Sequence, residues 1–150
     1  MQFTTGELNK FLLFKLPSAY FSGVRVIQIK DNSAVVRVKH RWINQNPFNS
    51  LYYGVQAMAA ELSTGVLVMK KISESGKNIA MLVTKQAAEF TKKGKGVIIF
   101  TCIDGEKINR AVEATIKTGK GQTFVLHSQA LDEQGEQVSS FEFEWSIKLR

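Results

Sequence analysis

Between Arg41 and Lys70 the chain carries one charged side chain, Glu61, inside the run LYYGVQAMAAELSTGVLVM from Leu51 to Met69. Leu51, Val55, Met58, Leu62, Val66 and Met69 recur there every three or four residues, which is the spacing of one face of an α-helix. The run therefore predicts a long helix whose apolar stripe faces a core, with Asn49 or Ser50 as its N-cap. Gln56, Ser63 and Thr64 read as its polar side. A helix this apolar has to be covered, and the flanking sequence must supply the cover.

That cover reads as β-structure. GVRVIQIK and SAVVRVKH are β-branched runs around Asp31-Asn32-Ser33, and Ala34, Val36 and Val38 alternate with Val35, Arg37 and Lys39, as in a hairpin with one wet face. Asn78 to Thr91 reads as extended, Gly94 to Gly96 as a turn, and VIIFTCID from Val97 to Asp104 as an apolar strand. TFVLHSQAL and VSSFEFEWSIKL follow as two more strands joined by DEQGEQ. In the second, Phe141, Phe143, Trp145 and Ile147 alternate with Glu142, Glu144, Ser146 and Lys148. Thr4 with Glu7 forms a capping-box pattern ahead of Leu8, Phe11 and Leu12, predicting a short helix over residues 5–15 that ends before Pro17. Ile108, Ala111, Val112 and Thr115, closed by Gly119, predict a second short helix. The expected fold class is α+β, an antiparallel sheet of about six strands wrapped around one long central helix, as one domain over residues 1–150.

Composition narrows the function classes. With 44% apolar and 22% charged residues the chain suits a globular protein. One cysteine, Cys102, excludes an internal disulfide framework and points to a reducing, cytoplasmic setting; in its apolar strand it reads as a buried, inert thiol. The N-terminus lacks the basic leader and cleavage site of a signal peptide, and Gln56, Glu61, Ser63 and Thr64 make Leu51–Met69 a core helix rather than a membrane span. His40 and His127 have no carboxylate at ligand spacing, so neither a metal nor a cofactor is expected. The net charge of +7 favours anionic partners, but a nucleic-acid module would rest on charge alone, without a basic helix or interleaved aromatic residues.

On the helical wheel Glu61 falls beside Gly54, Ala57, Gly65 and Val68, about 80° from the apolar stripe. Glycine inside a helix costs about 0.5–1 kcal/mol relative to alanine, so two of them beside one carboxylate suggest that a ligand or a second subunit comes close to the backbone. A carboxylate in a mostly apolar groove is also a better general base near neutral pH, because desolvation raises its pKa.

The run RWINQNPFNSLYYGVQAMAAELSTG, with PSAYFSGVRV before it, resembles the hotdog-fold superfamily, and within it a branch of single-domain proteins related to phenylacetyl-CoA-type acyl-CoA thioesterases. In that family a His-Gly-Gly opens the central helix and an acidic residue nine positions after the His activates water or attacks the thioester. Here Tyr52-Tyr53-Gly54 stands at His-Gly-Gly, and the ninth residue after Tyr52 is Glu61. The resemblance implies thioester hydrolysis with Glu61 as general base or nucleophile, and N–H groups of Tyr53 and Gly54 at the helix start as oxyanion donors. Asn46, Asn49, Tyr52 and Gln56 are the candidates to position water or the acyl group. Lys92, Lys93 and Lys95, with Arg110, Lys117 and Lys120, could meet the phosphates of coenzyme A. The missing His leaves an alternative open, a catalytically silent hotdog protein that binds an acyl or aromatic CoA thioester. Either version implies at least a homodimer with its pocket between subunits, pairing into a tetramer being left open.

Overall fold

The computed structural model describes residues 1–150. In chain order the elements are α1 (Thr5–Lys15), α2 (Pro17–Phe21), β1 (Arg25–Ile29), β2 (Ala34–Lys39), a 3-10 turn (Trp42–Asn44), α3 (Tyr53–Ser75), β3 (Ile79–Phe90), β4 (Val97–Cys102), α4 (Gly105–Thr118), β5 (Gln122–Leu131) and β6 (Gln137–Leu149). The six strands form one sheet in the order β1-β2-β4-β5-β6-β3, every neighbouring pair antiparallel. Thr4 caps α1 through a bond from the Glu7 N–H to its hydroxyl, and Gly76 ends α3 in the left-handed region at φ 67°. The short α2, with Pro17 in its first turn, was not foreseen in the sequence.

The long helix lies on the sheet, and the inward side chains of β2, β4, β5 and β6 close over it. Val36, Phe100, Leu126, Phe141, Phe143, Trp145 and Ile147 are buried with Val55, Ala59, Leu62 and Val66 in one core cluster. Two expectations about α3 need correction. Neither Asn49 nor Ser50 caps it: the N-cap is Tyr52, without any side-chain bond to the first turn, because Asn49 adopts a left-handed backbone (φ 58°) in the preceding loop.

The supposed polar side is also buried. Gln56 accepts from the Ser139 hydroxyl at 2.6 Å, Ser63 bonds the Ser128 hydroxyl at 2.8 Å, and Thr64 accepts from the Trp145 indole N–H at 3.0 Å. The sheet wraps further around the helix than its apolar stripe requires and satisfies each polar group with a strand residue. In the expected core stripe, Met58 and Met69 are only half-buried. The open side of α3 is the side of Gly54, Ala57, Met58 and Glu61, facing β3.

Candidate active site

Gly54 and Glu61 are seven residues apart, just under two helical turns, so they share one face of α3. With Ala57 and Met58 they form one wall of an open cleft of about 560 Å3 whose other wall is Val83 to Gln86 of β3 and Phe143 of β6. The Glu61 carboxylate lies over Gly65. A Cβ at Gly65 would meet Glu61 Oε1 at 3.2 Å and the Trp145 ring at 3.4 Å, so glycine is what lets carboxylate and indole converge on the helix backbone. The indole is fixed from its other end by its bond to Thr64. No protein donor or cation reaches the Glu61 carboxylate, and burial pushes its pKa up to about 7. A base with that pKa is substantially populated in both protonation states at neutral pH.

The facing wall is shaped by an irregularity. The β3–β6 register runs Val83↔Trp145 and then Lys85↔Glu144, leaving Thr84 as an extra residue. Such a bulge bends an edge strand and re-aims its side chains. It falls opposite the tryptophan that flanks Glu61. The Thr84 hydroxyl then donates to the Glu144 carboxylate at 2.9 Å, away from Glu61.

At its start α3 offers unpaired donors. The Val55 and Gln56 N–H groups both donate to Tyr52 O, whereas those of Tyr53 and Gly54 donate to no carbonyl. A helix N-terminus with free N–H groups stabilises developing negative charge. The Tyr52 ring folds against Gly54, where a Cβ would come within 2.8 Å of it.

The remaining expected site residues separate into two groups. Asn46, Tyr52, Tyr53, Gln56, Lys92 and Lys93 line a second cleft of about 560 Å3, together with Phe48 and Phe90. Within it Asn46 Oδ1 accepts from the Phe48 and Ser50 N–H groups and the Ser50 hydroxyl, which builds the loop before the helix. The Lys92 ammonium is paired with Asp132 at 2.6 Å and with Glu136, which raises its pKa and commits its charge. Lys93 lies 6.0 Å from the centre of the Phe48 ring. Asn49 and Lys95 line neither cleft, and neither do Arg110, Lys117 and Lys120. Sequence reasoning missed Trp145, Phe143 and the β3 wall. Trp145 read only as core, and a bulge in backbone register leaves no residue signature at Thr84.

The sequence matches DUF4442, a domain of unknown function, over residues 6–147. The chain belongs to the DUF4442 family. A search of curated proteins finds no sequence match. The DUF4442 chain superposes on a Pseudomonas aeruginosa protein described as a probable thioesterase, with TM-score 0.82 and 23% identity over 98% of this chain and 97% of that one. A protein of unknown function from Chlorobaculum tepidum gives TM-score 0.84 at 16% identity, covering 97% and 94% of the two chains. A Haemophilus influenzae thioesterase gives 0.73 at 13%, covering 99% and 93%. The shared architecture is the hotdog fold. No helix of the DUF4442 chain is long and apolar enough to cross a membrane.

Proposed function

We propose that this DUF4442 protein is a hotdog thioesterase that hydrolyses an acyl-CoA thioester with Glu61 as general base. The observation that carries the reading is the Glu61 carboxylate: unpaired, with a pKa raised to about 7 by burial, and open to a cleft that also contains Gly54, whose N–H is free at the start of the helix. Thioesterase descriptions among the proteins of the same fold support it.

In the reaction Glu61 takes a proton from water as the water oxygen attacks the thioester carbonyl carbon. The resulting oxyanion would be held by the Gly54 N–H within the cleft and by the neighbouring Tyr53 N–H, where tyrosine replaces the first glycine of the family pattern but keeps its backbone hydrogen. Collapse re-forms the carbonyl, breaks the C–S bond and returns the Glu61 proton to the leaving thiolate. The products are a carboxylic acid and free coenzyme A. Asn46, Tyr52, Gln56 and Lys93 would act on the acyl or pantetheine portion from the second cleft. Lys92, already neutralised by two carboxylates, and Asn49 and Lys95, outside both clefts, contribute least.

The reading includes a homodimer formed through β3. That strand is twelve residues long at the sheet's edge, pairs only with β6, and exposes Leu82 (64%) and Phe90 (49%). A long unpaired edge with apolar side chains is a template for a second copy, which would also roof the Glu61 cleft.

One observation favours a second reading, a silent thioester-binding protein: the Tyr52 ring lies against Gly54, over the start of the helix. The pH dependence of kcat/KM for coenzyme A release separates the two. The thioesterase reading expects an acid limb that rises with pH through an apparent pKa of about 7, matching the Glu61 carboxyl. Tight binding of a thioester without release at any pH would establish the silent binder instead.

A further inference from the structure

Three of the chain's five arginines, Arg25, Arg37 and Arg41, meet Lys39 around one cavity of about 440 Å3. Gly23 and Val97 complete its lining. On β2 the side chains of Val36 and Val38 are buried in the core, so Arg37 and Lys39 project from the opposite, outer face of the sheet. β1 and β2 lie at the far end of the strand order from β3, which walls the Glu61 cleft.

None of the four cations takes part in an ion pair. Glu133, near the cavity through Val97, accepts the Val97 N–H at 2.8 Å and pairs with none of them. Arg37 even stands directly across from Arg25 in the β1–β2 register, and like charges at opposed positions weaken a sheet. Solubility asks for dispersed charge, not for guanidinium groups gathered in a concavity.

One guanidinium group is held in place before any ligand arrives, and a second packs against the backbone beside it. Arg25 Nη1 donates to the carbonyls of Tyr20 at 2.7 Å and Val24 at 2.8 Å, while its guanidinium stacks 3.6 Å from the centre of the Tyr20 ring. Arg41 rests against Gly23, where a Cβ would fall 2.8 Å from Nη2 and where φ is +91°. Asn44 ties this corner together by donating to Ser22 O and Lys39 O and accepting the Arg41 N–H. Planar guanidinium forks gathered around a cavity suit the oxygens of a phosphate group, and a volume of this size leaves room for what the phosphate is attached to.

We propose that this cavity is a binding site for a phosphate-bearing ligand carrying two or more negative charges, separate from the Glu61 cleft. The same chemistry is offered by a soluble phosphate ester and by an anionic lipid headgroup.

Isothermal titration with inorganic pyrophosphate at about 50 mM salt tests it, comparing wild type with Arg37→Gln/Arg41→Gln and with Lys15→Gln/Lys77→Gln, which removes equal charge elsewhere. The expected result is about a tenfold or greater loss of affinity in the arginine variant and less than about a twofold loss in the lysine variant. Arg37→Gln/Lys39→Gln, confined to the exposed face of β2, repeats the test without disturbing the Arg41 corner. The same variants are then titrated with adenosine 3′,5′-bisphosphate and sedimented with phosphatidylcholine vesicles with and without phosphatidylglycerol. Selective loss with the bisphosphate supports the site and names a soluble ester as the source, and selective loss with the anionic vesicles supports it and names a headgroup. Equal loss in the arginine and lysine variants with every probe, or no binding to wild type at about 10 mM pyrophosphate, would overturn the proposal. Glu61→Gln must bind pyrophosphate as wild type does, so failure of the thioesterase reading leaves this result interpretable.

Discussion

Replacing Glu61 by glutamine should change how stability depends on pH, in a direction and amount that burial dictates. The carboxyl has an ordinary pKa of 4.5 and is pushed to about 7 in the folded protein by desolvation. Between those values the folded state holds a proton that the unfolded chain releases, so stability falls as pH rises. The penalty is absent below about pH 4 and fully developed above about pH 8. At about 1.4 kcal/mol for each pH unit, it amounts to about 3 kcal/mol. Glutamine carries no such penalty. Urea unfolding of both proteins across the range, with the difference taken at each pH so that all other titrating groups cancel, isolates the effect. Glu61→Gln should gain about 3 kcal/mol relative to wild type between about pH 4 and pH 9. A difference that stays flat within about 0.5 kcal/mol would mean that Glu61 is fully solvated, and the argument for a tuned base would fail.

Other expectations follow from single contacts. Gly105 packs so closely on Asn32 that a Cβ would fall 2.3 Å from the Asn32 Cα, a backbone atom that cannot swing aside. Gly105→Ala should therefore cost about 2 kcal/mol by denaturant unfolding despite alanine's better helix propensity, and a neutral result would contradict the packing of α4 on the β1–β2 turn. Leu82→Glu on the exposed edge of β3 should shift a dimer toward monomer in sedimentation velocity while leaving the circular dichroism spectrum unchanged; a wild-type monomer at micromolar concentration would refute the β3 dimer outright. Burial pushes the Cys102 thiol up to about 12, so a disulfide reagent at pH 8 should react only as fast as the protein unfolds.

The strands were legible because period-2 alternation survives wherever one face is wet. Phe141, Phe143, Trp145 and Ile147 are buried as their spacing demands, and β2 places Val36 and Val38 inward for the same reason. The long helix was legible from its length and apolar run, but its buried arc was not. A helical wheel gives the angle of Gln56, Ser63 and Thr64; it does not show that Ser139, Ser128 and Trp145, between 65 and 83 residues further along, arrive to bond them. The presumed wet side lies in the core, and Glu61 belongs to the open one. What survived is the lone charge between two glycines, Gly54 on its face and Gly65 beneath its carboxylate. The second wall could not be read, because it depends on a bulge at Thr84 and on the order in which β3 joins the sheet.

Thiol release from a panel of short, medium, long and aromatic acyl-CoAs, comparing wild type with Glu61→Gln, tests the central claim most directly. Wild type should turn over at least one thioester, and the variant should lose about a hundredfold or more of that activity with its fold and oligomeric state intact. Equal turnover in both proteins, or none in either alongside tight thioester binding, would contradict it.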